Sequence, residues 1–324
     1  MAGIQTNNGK AFEYACLIAL YQHLNQEQEI IIRDTPQYRT AKRFFDNLDE
    51  VMKRNLMLAG NASARVLIRL EPQLEYPNRN VPLILTLQTD AEGIKGDVRD
   101  VLCIRRQNEW EIGLSCKHNH FAVKHSRLSG TIDFGREWFG IPCSTEYFQT
   151  VRPLFNELRG LKENSYGQAL WQDLPNKEGD YYIPILLAFM KELKKLDAEN
   201  NGVIPERLIH YLIGQNDFYK VITIDNKRIT RIQAVNINGT LNRKSAGHSS
   251  MVDISKLKLP SRFYHIDFVP NSTNTIEIAC DEGWTISLRI HNASSRIEPS
   301  LKFDINLVSL PSSIYSQVEP WDNY

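Results

Sequence analysis

Residues 96–117, which read GDVRDVLCIRRQNEWEIGLSCK, are the most informative segment of the chain. An acidic start leads into a β-branched and apolar run. A polar break follows near Gln107, and the last part alternates between apolar and polar residues. Alternation with a period of two is typical of a β-strand that has one face in the core. The segment therefore predicts two antiparallel strands joined by a short hairpin loop.

The position of the loop predicts which residues of the two strands face each other. Without a bulge, the numbers of opposed residues sum to about 215, so Asp100 faces Ser115 and Lys117 follows on the same side. A carboxylate and an ammonium group are thus expected close together on rigid strands. Such a pair can hold a divalent metal ion and meet a phosphate, and it can equally be an ordinary cross-strand salt bridge.

Two further features favour a polyanionic substrate. From Ile112 to Ile132 the sequence contains bases and histidines but no acid, and such one-sided charge suits nucleic acid. Residues 9–13, GKAFE, open a helix that is expected over residues 9–25, and they place Glu13 in its first turn. The helix dipole alone also favours an acid at this position.

Composition limits the class of protein. The 324 residues include 38 basic and 38 acidic ones, so only local patches can attract nucleic acid. A hydrophobic content of 42% supports a folded core. The five cysteines show no paired spacing and predict reduced, buried thiols in a cytoplasmic protein. No apolar run is long enough to predict a membrane span.

The rest of the chain predicts helices followed by strands. Residues 121–129 read as a basic connecting segment, and helical patterns continue to residue 214. From residue 217 the pattern changes to a period of two and predicts six strands. Turn-forming residues at 197–205 are expected to separate a catalytic region, 1–200, from a β-rich region, 201–324, that would recognise DNA.

Six short motifs are distributed along the chain. They are KGDVRDV at 95–101, SCKHNH at 115–120, KHSRLS at 124–129, IDFG at 132–135, RIHNASS at 289–295 and SLKF at 300–303. Together they resemble the HaeIII family of type II restriction endonucleases. The resemblance implies an α+β or α/β fold with a PD-(D/E)XK core, flanking helices and an antiparallel β-rich C-terminal region. It also implies cleavage of double-stranded DNA at GGCC, with Mg²⁺ as cofactor and 5′-phosphate products.

The resemblance implies roles for individual residues. Asp100 corresponds to the signature aspartate, Lys117 to the signature lysine and Glu13 to the helix glutamate. Arg99 stands where proline is usual, and Ser115 occupies the catalytic position where the motif has a second acid.

The acid missing at Ser115 leaves the metal-binding set incomplete. The implied ligands are Asp100 and Glu13. The alternatives for completing the set are Asp97, Glu111 and the backbone carbonyl of Cys116. Strand parity argues against Asp97, because it falls on the opposite face from Asp100. The missing acid also leaves an alternative function, namely a non-catalytic DNA-binding module on a degenerate nuclease fold.

Polar and basic side chains near strand ends and in loops are the candidates for contacting DNA. The candidates are Asn119, His120, Lys124, His125, Arg127, Arg243, Lys244, Arg289, His291 and Asn292. Arginine and asparagine can read the edges of guanine and adenine in the major groove, and ordinary surface chemistry is the alternative for each residue. A palindromic site such as GGCC is most simply read by a two-fold homodimer.

Overall fold

The computed structural model describes residues 2–77, 81–89, 96–106, 109–119 and 124–321. The chain folds into two compact units. The first combines residues 1–121, 215–257 and 313–324, and the second combines residues 122–214 and 258–312. Each unit is therefore built from segments that lie far apart in the sequence.

The first unit packs helices against a mixed sheet. Its described helices are α1 (Ala2–Leu24), α2 (Pro36–Asp46), α3 (Glu50–Leu70) and the short α4 (Pro72–Glu75). Its strands are β1 (Ile30–Ile32), β2 (Leu83–Leu87), β3 (Val101–Arg105), β4 (Trp110–His118), β6 (Phe218–Ile224), β7 (Ile229–Val235) and β12 (Tyr315–Pro320). They lie in the order β1-β2-β3-β4-β6-β7-β12. The β1–β2 and β4–β6 pairs are parallel, and the other neighbouring pairs are antiparallel.

Helix α1 lies at the centre of the first unit. The apolar face expected for residues 9–25 is confirmed, because Phe12, Ala15 and Cys16 are fully buried. Burial extends beyond that face to every side chain of residues 11–17, since α2, α3 and the sheet all pack against this helix. Helix α1 therefore holds any polar group that it carries in a fixed position against the sheet.

The second unit packs helices against an antiparallel sheet. Its described helices are α5 (Phe134–Phe139), α6 (Thr145–Asn164), α7 (Ile183–Glu199) and α8 (Val203–Ile213), with single helical turns at Trp171–Asp173 and Glu178–Tyr182. Its strands are β5 (Lys124–Ser129), β8 (Phe263–Phe268), β9 (Thr275–Cys280), β10 (Thr285–His291) and β11 (Ser300–Ser309). They lie in the order β5-β11-β10-β9-β8. Phe189 of α7 joins the layers, with its ring 4.6 Å from Phe134 and 5.0 Å from Phe303 of β11.

The six strands predicted after residue 217 are confirmed as β6 to β11, but they do not form one region. Strands β6 and β7 join the first sheet. The boundary expected at residue 200 falls in the short turn between α7 and α8, inside the second unit. Turn-forming residues at 197–205 end one helix and begin the next, so they do not mark a boundary between units.

Residues 124–129, expected within a connecting segment, form strand β5 instead. The difference arises because β11, far away in the sequence, supplies the hydrogen-bonding partner for this strand. Both units combine helices with largely antiparallel sheet, which confirms the α+β class. No helix in the described ranges has the length and apolar character that crossing a membrane requires.

Candidate active site

The hairpin of β3 and β4 has the predicted register. Val101 pairs with Leu114, and the pairs continue in step to Arg105 opposite Trp110. Asp100 comes directly before β3, and its backbone N–H donates to the carbonyl oxygen of Leu114 over 2.7 Å. The strand pair therefore holds Asp100 beside residues 115–117 of β4.

Asp100 and Lys117 are brought together at the end of this hairpin. Oδ2 of Asp100 lies 3.3 Å from Nζ of Lys117, and it accepts a 2.7 Å hydrogen bond from the backbone N–H of Cys116. The side chains of Asp100 and Lys117 are 21% and 26% exposed, so a ligand can reach both. Burial, the largest single effect, opposes the charge of Lys117, but the attractions of Asp100, Cys116 and Glu13 together outweigh it and raise the pKa of the ammonium group. Lys117 is therefore charged at neutral pH.

Glu13 of α1 belongs to the same group of charges. Its side chain is only 9% exposed, and its Oε2 accepts a 3.3 Å hydrogen bond from Lys10. Burial, followed by the negative charge of Asp100, raises the pKa of Glu13 to about 8, while Lys10 and Lys117 act in the opposite direction. The carboxyl group is therefore mostly protonated at neutral pH unless a further cation binds beside it.

Ser115 and Cys116 lie between these groups on opposite faces of β4. Ser115 is buried, with 2% of its surface exposed. The thiol of Cys116 is also buried. A hydrogen bond between Cys116 and Cys16, together with this burial, raises the pKa of the Cys116 thiol well above the ordinary value. Metal ions bind the thiolate rather than the thiol, so the backbone carbonyl is the donor that Cys116 can offer at neutral pH.

Arg99 engages the two other acids that were candidates for the metal site. Its Nε and Nη2 donate to Asp97 over 2.8 and 2.6 Å, and its Nη1 donates to Glu111 over 2.6 Å. The aliphatic part of the Arg99 side chain crosses over Gly113, where a Cβ atom would overlap Cδ of Arg99. The structure therefore brings Asp97 and Glu111 to Arg99 rather than to Asp100, in line with the argument from strand parity for Asp97.

Lys220 is a neighbour of the site that sequence reasoning missed. Strand β6 runs parallel to β4, and Lys220 pairs directly with Ser115. Burial, followed by repulsion from the ammonium group of Lys117, lowers the pKa of Lys220 to about 8. The alternation within β6 signals a strand with a polar side, but no local pattern shows that this strand pairs with β4.

Beyond Lys117, strand β4 ends in a network centred on Asp225. Oδ2 of Asp225 lies 2.9 Å from Nε2 of His118 and accepts a 2.9 Å hydrogen bond from Nδ2 of Asn119. Oδ1 of Asn119 accepts a 3.0 Å hydrogen bond from the backbone N–H of Asp225. Both ends of the Asn119 amide are thus engaged within the first unit, so a contact with DNA would replace bonds already made. His120 lies outside the described residues.

The second unit gathers basic residues on one face of its sheet, which we call the basic face. Its positions form two rows across β5, β11 and β10, namely Arg127, Lys302 and His291, and then His125, Asp304 and Arg289. Directly paired residues share one face of a sheet. Two segments that were separately predicted to contact DNA therefore meet on one surface, and Lys302 joins them.

Asp304 is the acid at the centre of the basic face. Its Oδ2 accepts a 3.0 Å hydrogen bond from Nη2 of Arg289. The same oxygen lies 2.9 Å from Nε2 of His291 without the angle of a hydrogen bond, so this contact depends on the charge of His291. Arg127 donates from Nη1 to Ser300 over 2.9 Å. The side chains of Lys124 and His125 lie outside the described part of the chain.

The remaining candidates sit in loops of both units. Nδ2 of Asn292 donates to a backbone carbonyl two residues ahead, within its own loop in the second unit. Arg243 and Lys244 belong to the first unit, where the preceding N–H of Asn242 donates to Glu71 over 2.7 Å. The predicted DNA contacts are thus divided between the two units.

Comparisons with known proteins agree with the resemblance seen in the motifs. The family model described as HaeIII restriction endonuclease matches residues 9–311. Over 322 residues the chain is 42% identical to the type II restriction enzyme HaeIII of Haemophilus aegyptius, which covers 99% of this chain and 100% of that protein. No solved structure matches the chain. The extent of both matches shows that the chain belongs to the HaeIII restriction endonuclease family.

Proposed function

We propose that this restriction endonuclease uses Mg²⁺ to hydrolyse phosphodiester bonds of double-stranded DNA at GGCC sites, leaving 5′-phosphates. The observation that carries the proposed site is the 3.3 Å approach of Nζ of Lys117 to Oδ2 of Asp100 on partly exposed side chains. A carboxylate can bind a metal ion while a neighbouring ammonium group meets the phosphate. Hydrolysis of a phosphodiester bond needs both the metal ion and the ammonium group at the same phosphate.

In this proposal the first unit carries the PD-(D/E)XK core. Asp100 leads into β3, Lys117 lies near the end of β4, and α1 supplies Glu13. This order of elements supports the proposal, because the motif consists of a helix glutamate, an acid that enters one strand and a lysine that closes the next. Ser115 remains the departure from the motif.

The residues around Asp100 fit a divalent cation with oxygen ligands. Asp100 is close enough to Glu13 to raise the pKa of its carboxyl group, and a cation between them would favour the ionised form of both. The described ranges contain no group of three or more Asp, Glu, His or Cys residues that could hold a metal ion. The carbonyl of Cys116 and water would therefore complete the shell, as is common for Mg²⁺.

The protein groups have separable roles in the reaction. When bound, the cation would supply charge that neutralises the phosphate and acidifies a water molecule. The N–H of Cys116 fixes Oδ2 of Asp100, so the carboxylate keeps its orientation. The charged Lys117 can donate to a non-bridging oxygen of the phosphate or orient the attacking water. Attack on phosphorus opposite the 3′-oxygen breaks the bond to that oxygen and leaves the phosphate on the 5′ end.

We assign base recognition mainly to the basic face of the second unit. Contacts to phosphates position a protein on DNA, whereas contacts to base edges specify the sequence. The side chain of Arg289 is 54% exposed and is oriented by Asp304, and an oriented guanidinium group can bind O6 and N7 of guanine together. Arg243 and Lys244 would add contacts from the first unit.

A homodimer is the assembly that this target favours. The sequence GGCC reads identically on both strands, so a two-fold pair of subunits would place one Asp100–Lys117 site at each strand. Sedimentation of the protein with a duplex that carries one GGCC site would test this, with two chains per duplex as the expected result.

Digestion of a plasmid with mapped GGCC sites tests the proposed function. Cleavage is expected with Mg²⁺ and not with a chelator, and sequencing of the fragment ends should give GGCC and 5′-phosphates. The Asp100→Asn variant is expected to leave the plasmid intact. A wild-type protein that shifts the plasmid in a gel but never cuts it in Mg²⁺ would instead support a non-catalytic DNA-binding module.

A further inference from the structure

Two exposed cations, Arg243 and Lys244, lie in a loop of the first unit that we call the anchored loop, residues 241–248. No acid occurs in the sequence from residue 236 to residue 252. Such one-sided charge on exposed side chains attracts DNA. A flexible loop would lose conformational freedom when its cations bind, so the contacts that hold this loop decide how much affinity the cations supply.

The backbone of the anchored loop is held by Glu71, which lies between α3 and α4. The N–H of Asn242 donates to Oε1 of Glu71 over 2.7 Å. The carboxyl group is buried, and the hydroxyl group of Tyr219 on β6 donates to the same oxygen over 2.7 Å. Burial raises the pKa of Glu71 to about 7, against the opposite effects of these two hydrogen bonds and of the charge of Arg243. Glu71 therefore joins the loop to the sheet directly before the two cations.

Further contacts hold the anchored loop on both sides of its cations. Before them, Nδ2 of Asn242 donates to the backbone carbonyl of Leu70 over 2.7 Å. After them, the backbone N–H groups of Ser245 and His248 donate to each other's carbonyl oxygens over 2.9 and 2.7 Å. The ring of His248 also stacks on that of Tyr76, with 3.8 Å between the ring centres. The loop thus has a defined conformation in the absence of DNA.

We propose that Glu71 is the positioning residue of the anchored loop and that it holds Arg243 and Lys244 where they contact bound DNA. This inference rests on the nuclease function proposed above and on the DNA contacts assigned there to the first unit. Glu71 does not touch DNA itself, because it is buried, and it acts through the backbone N–H of Asn242. Preorganisation of this kind raises affinity, since the loop does not have to be ordered when the complex forms.

A double-mutant cycle between Glu71 and the two cations tests this positioning role. Glu71→Leu removes the acceptor, and it is combined with Tyr219→Phe so that the tyrosine hydroxyl is not left without its acceptor. Binding to a duplex with one GGCC site is measured in Ca²⁺. This double variant is expected to bind about tenfold more weakly and to reduce the slope of log Kd against log salt by about one. In a background with Arg243→Ala and Lys244→Ala, the same change should cost no further affinity.

Two control variants separate positioning from a general loss of structure. Tyr219→Phe alone removes one hydrogen bond to Oε1 of Glu71 but leaves the bond from the loop, so affinity and salt slope should match the wild type. Glu71→Gln keeps an oxygen acceptor for the N–H of Asn242 and should retain most of the affinity. In Mg²⁺ and at saturating DNA, the variant with Glu71→Leu and Tyr219→Phe should cut within about threefold of the wild-type rate, because the loop acts on binding.

Hydrogen exchange on the wild-type protein tests preorganisation without any substitution. The amide of Asn242 should exchange slowly in the free protein, because its hydrogen-bond acceptor is buried. Protection that appears only after DNA is added would overturn the proposal, whether or not the variants fold.

The outcomes separate this inference from the proposed function. Full affinity after Glu71→Leu, or an equal loss with and without the two cations, would overturn the positioning role. Wild-type affinity after Arg243→Ala and Lys244→Ala would also overturn it, and cleavage by the Asp100–Lys117 site would be unaffected by any of these results. Because binding is measured without cleavage, a protein that shows the coupling but never cuts DNA in Mg²⁺ would retain this positioning role and overturn the nuclease function.

Discussion

Lys117 of β4 places its Nζ 3.3 Å from Oδ2 of Asp100, the residue that directly precedes β3, because the register of the two strands brings these positions together. If this pair faces the scissile phosphate, Asp100→Asn and Lys117→Met should each slow single-turnover cleavage at least about 1000-fold, because one removes a metal ligand and the other a cation at the phosphate. Specific binding in Ca²⁺ should remain largely intact. Plasmid cleavage and gel-shift measurements on the same preparations check both expectations.

Lys10→Met is the matched control for this prediction. It removes a lysine that also contacts an acid of the site, Glu13, but from helix α1 rather than from the hairpin. A moderate effect is expected, since Lys10 contacts Glu13 but does not belong to the hairpin that carries Asp100 and Lys117. Near-normal cutting by Lys117→Met would mean that the active site has been misplaced.

The raised pKa of Glu13 predicts how stability depends on pH. Because its pKa in the folded protein is about 8, above the ordinary value of 4.5, the folded state binds this proton more tightly than the unfolded chain does. The resulting stability is fully present below about pH 4.5 and is lost as the pH rises through about 8. Glu13→Gln removes the titrating group, so its free energy of unfolding should fall less over this range than that of the wild type. Urea unfolding in metal-free buffers across this range measures the difference, and parallel curves for both proteins would contradict the assignment.

Arg99 is expected to stabilise the hairpin through Asp97. The contacting side chains are 9% and 13% exposed, and removing one member of a buried ion pair leaves the other charge uncompensated. Arg99→Met should therefore lower the free energy of unfolding by about 3 kcal/mol. Asp97→Asn introduced into the Arg99→Met background should cost little more, which gives a coupling of about 1–3 kcal/mol in a double-mutant cycle.

Glu111→Gln provides the comparison for that cycle. Glu111 also accepts from Arg99, but its side chain is 40% exposed, so solvent screens the pair and its coupling should be smaller. Strict additivity between Arg99→Met and Asp97→Asn in urea unfolding would show that the pair does not stabilise the fold.

The local features of the fold and site were predictable from the sequence. A short loop and strict alternation determine the register of a hairpin, which is why Asp100 was expected opposite Ser115 and near Lys117. The buried face of α1 was likewise visible in its apolar periodicity. The relation of Glu13 to the hairpin came only from the motif resemblance, because a single glutamate on a helix has no signature of its own. The first-turn position expected for Glu13 was wrong, since α1 begins at Ala2 and places Glu13 near the middle of the helix.

Two of the features that were missed depend on pairing between distant segments. Lys220 reaches the site because β6 pairs with β4 in parallel, and β5 becomes a strand because β11 lies beside it. Strand partners that lie far apart in the sequence leave no local pattern. The sequence alone therefore predicted neither the pairing of β6 with β4 nor that of β5 with β11. Arg99 was noted as a departure from the motif, but its role in holding Asp97 and Glu111 needs the open space over Gly113.

Two cations of the basic face, Arg289 and Lys302, are expected to contribute to DNA binding in different ways. Asp304 orients the guanidinium group of Arg289 over 3.0 Å, and an oriented arginine can discriminate guanine, so Arg289→Ala should weaken binding to the GGCC duplex by about 1–3 kcal/mol more than binding to a random duplex. Lys302, as a point charge, should contact phosphate, so Lys302→Ala should weaken both equally and reduce the slope of log Kd against log salt by about one. Competition gel shifts over a range of salt concentrations measure both quantities. Equal losses of affinity for the two duplexes on Arg289→Ala would show that Arg289, too, contacts the phosphate backbone. Base recognition would then have to come from other residues, and Arg243 of the first unit is the next candidate.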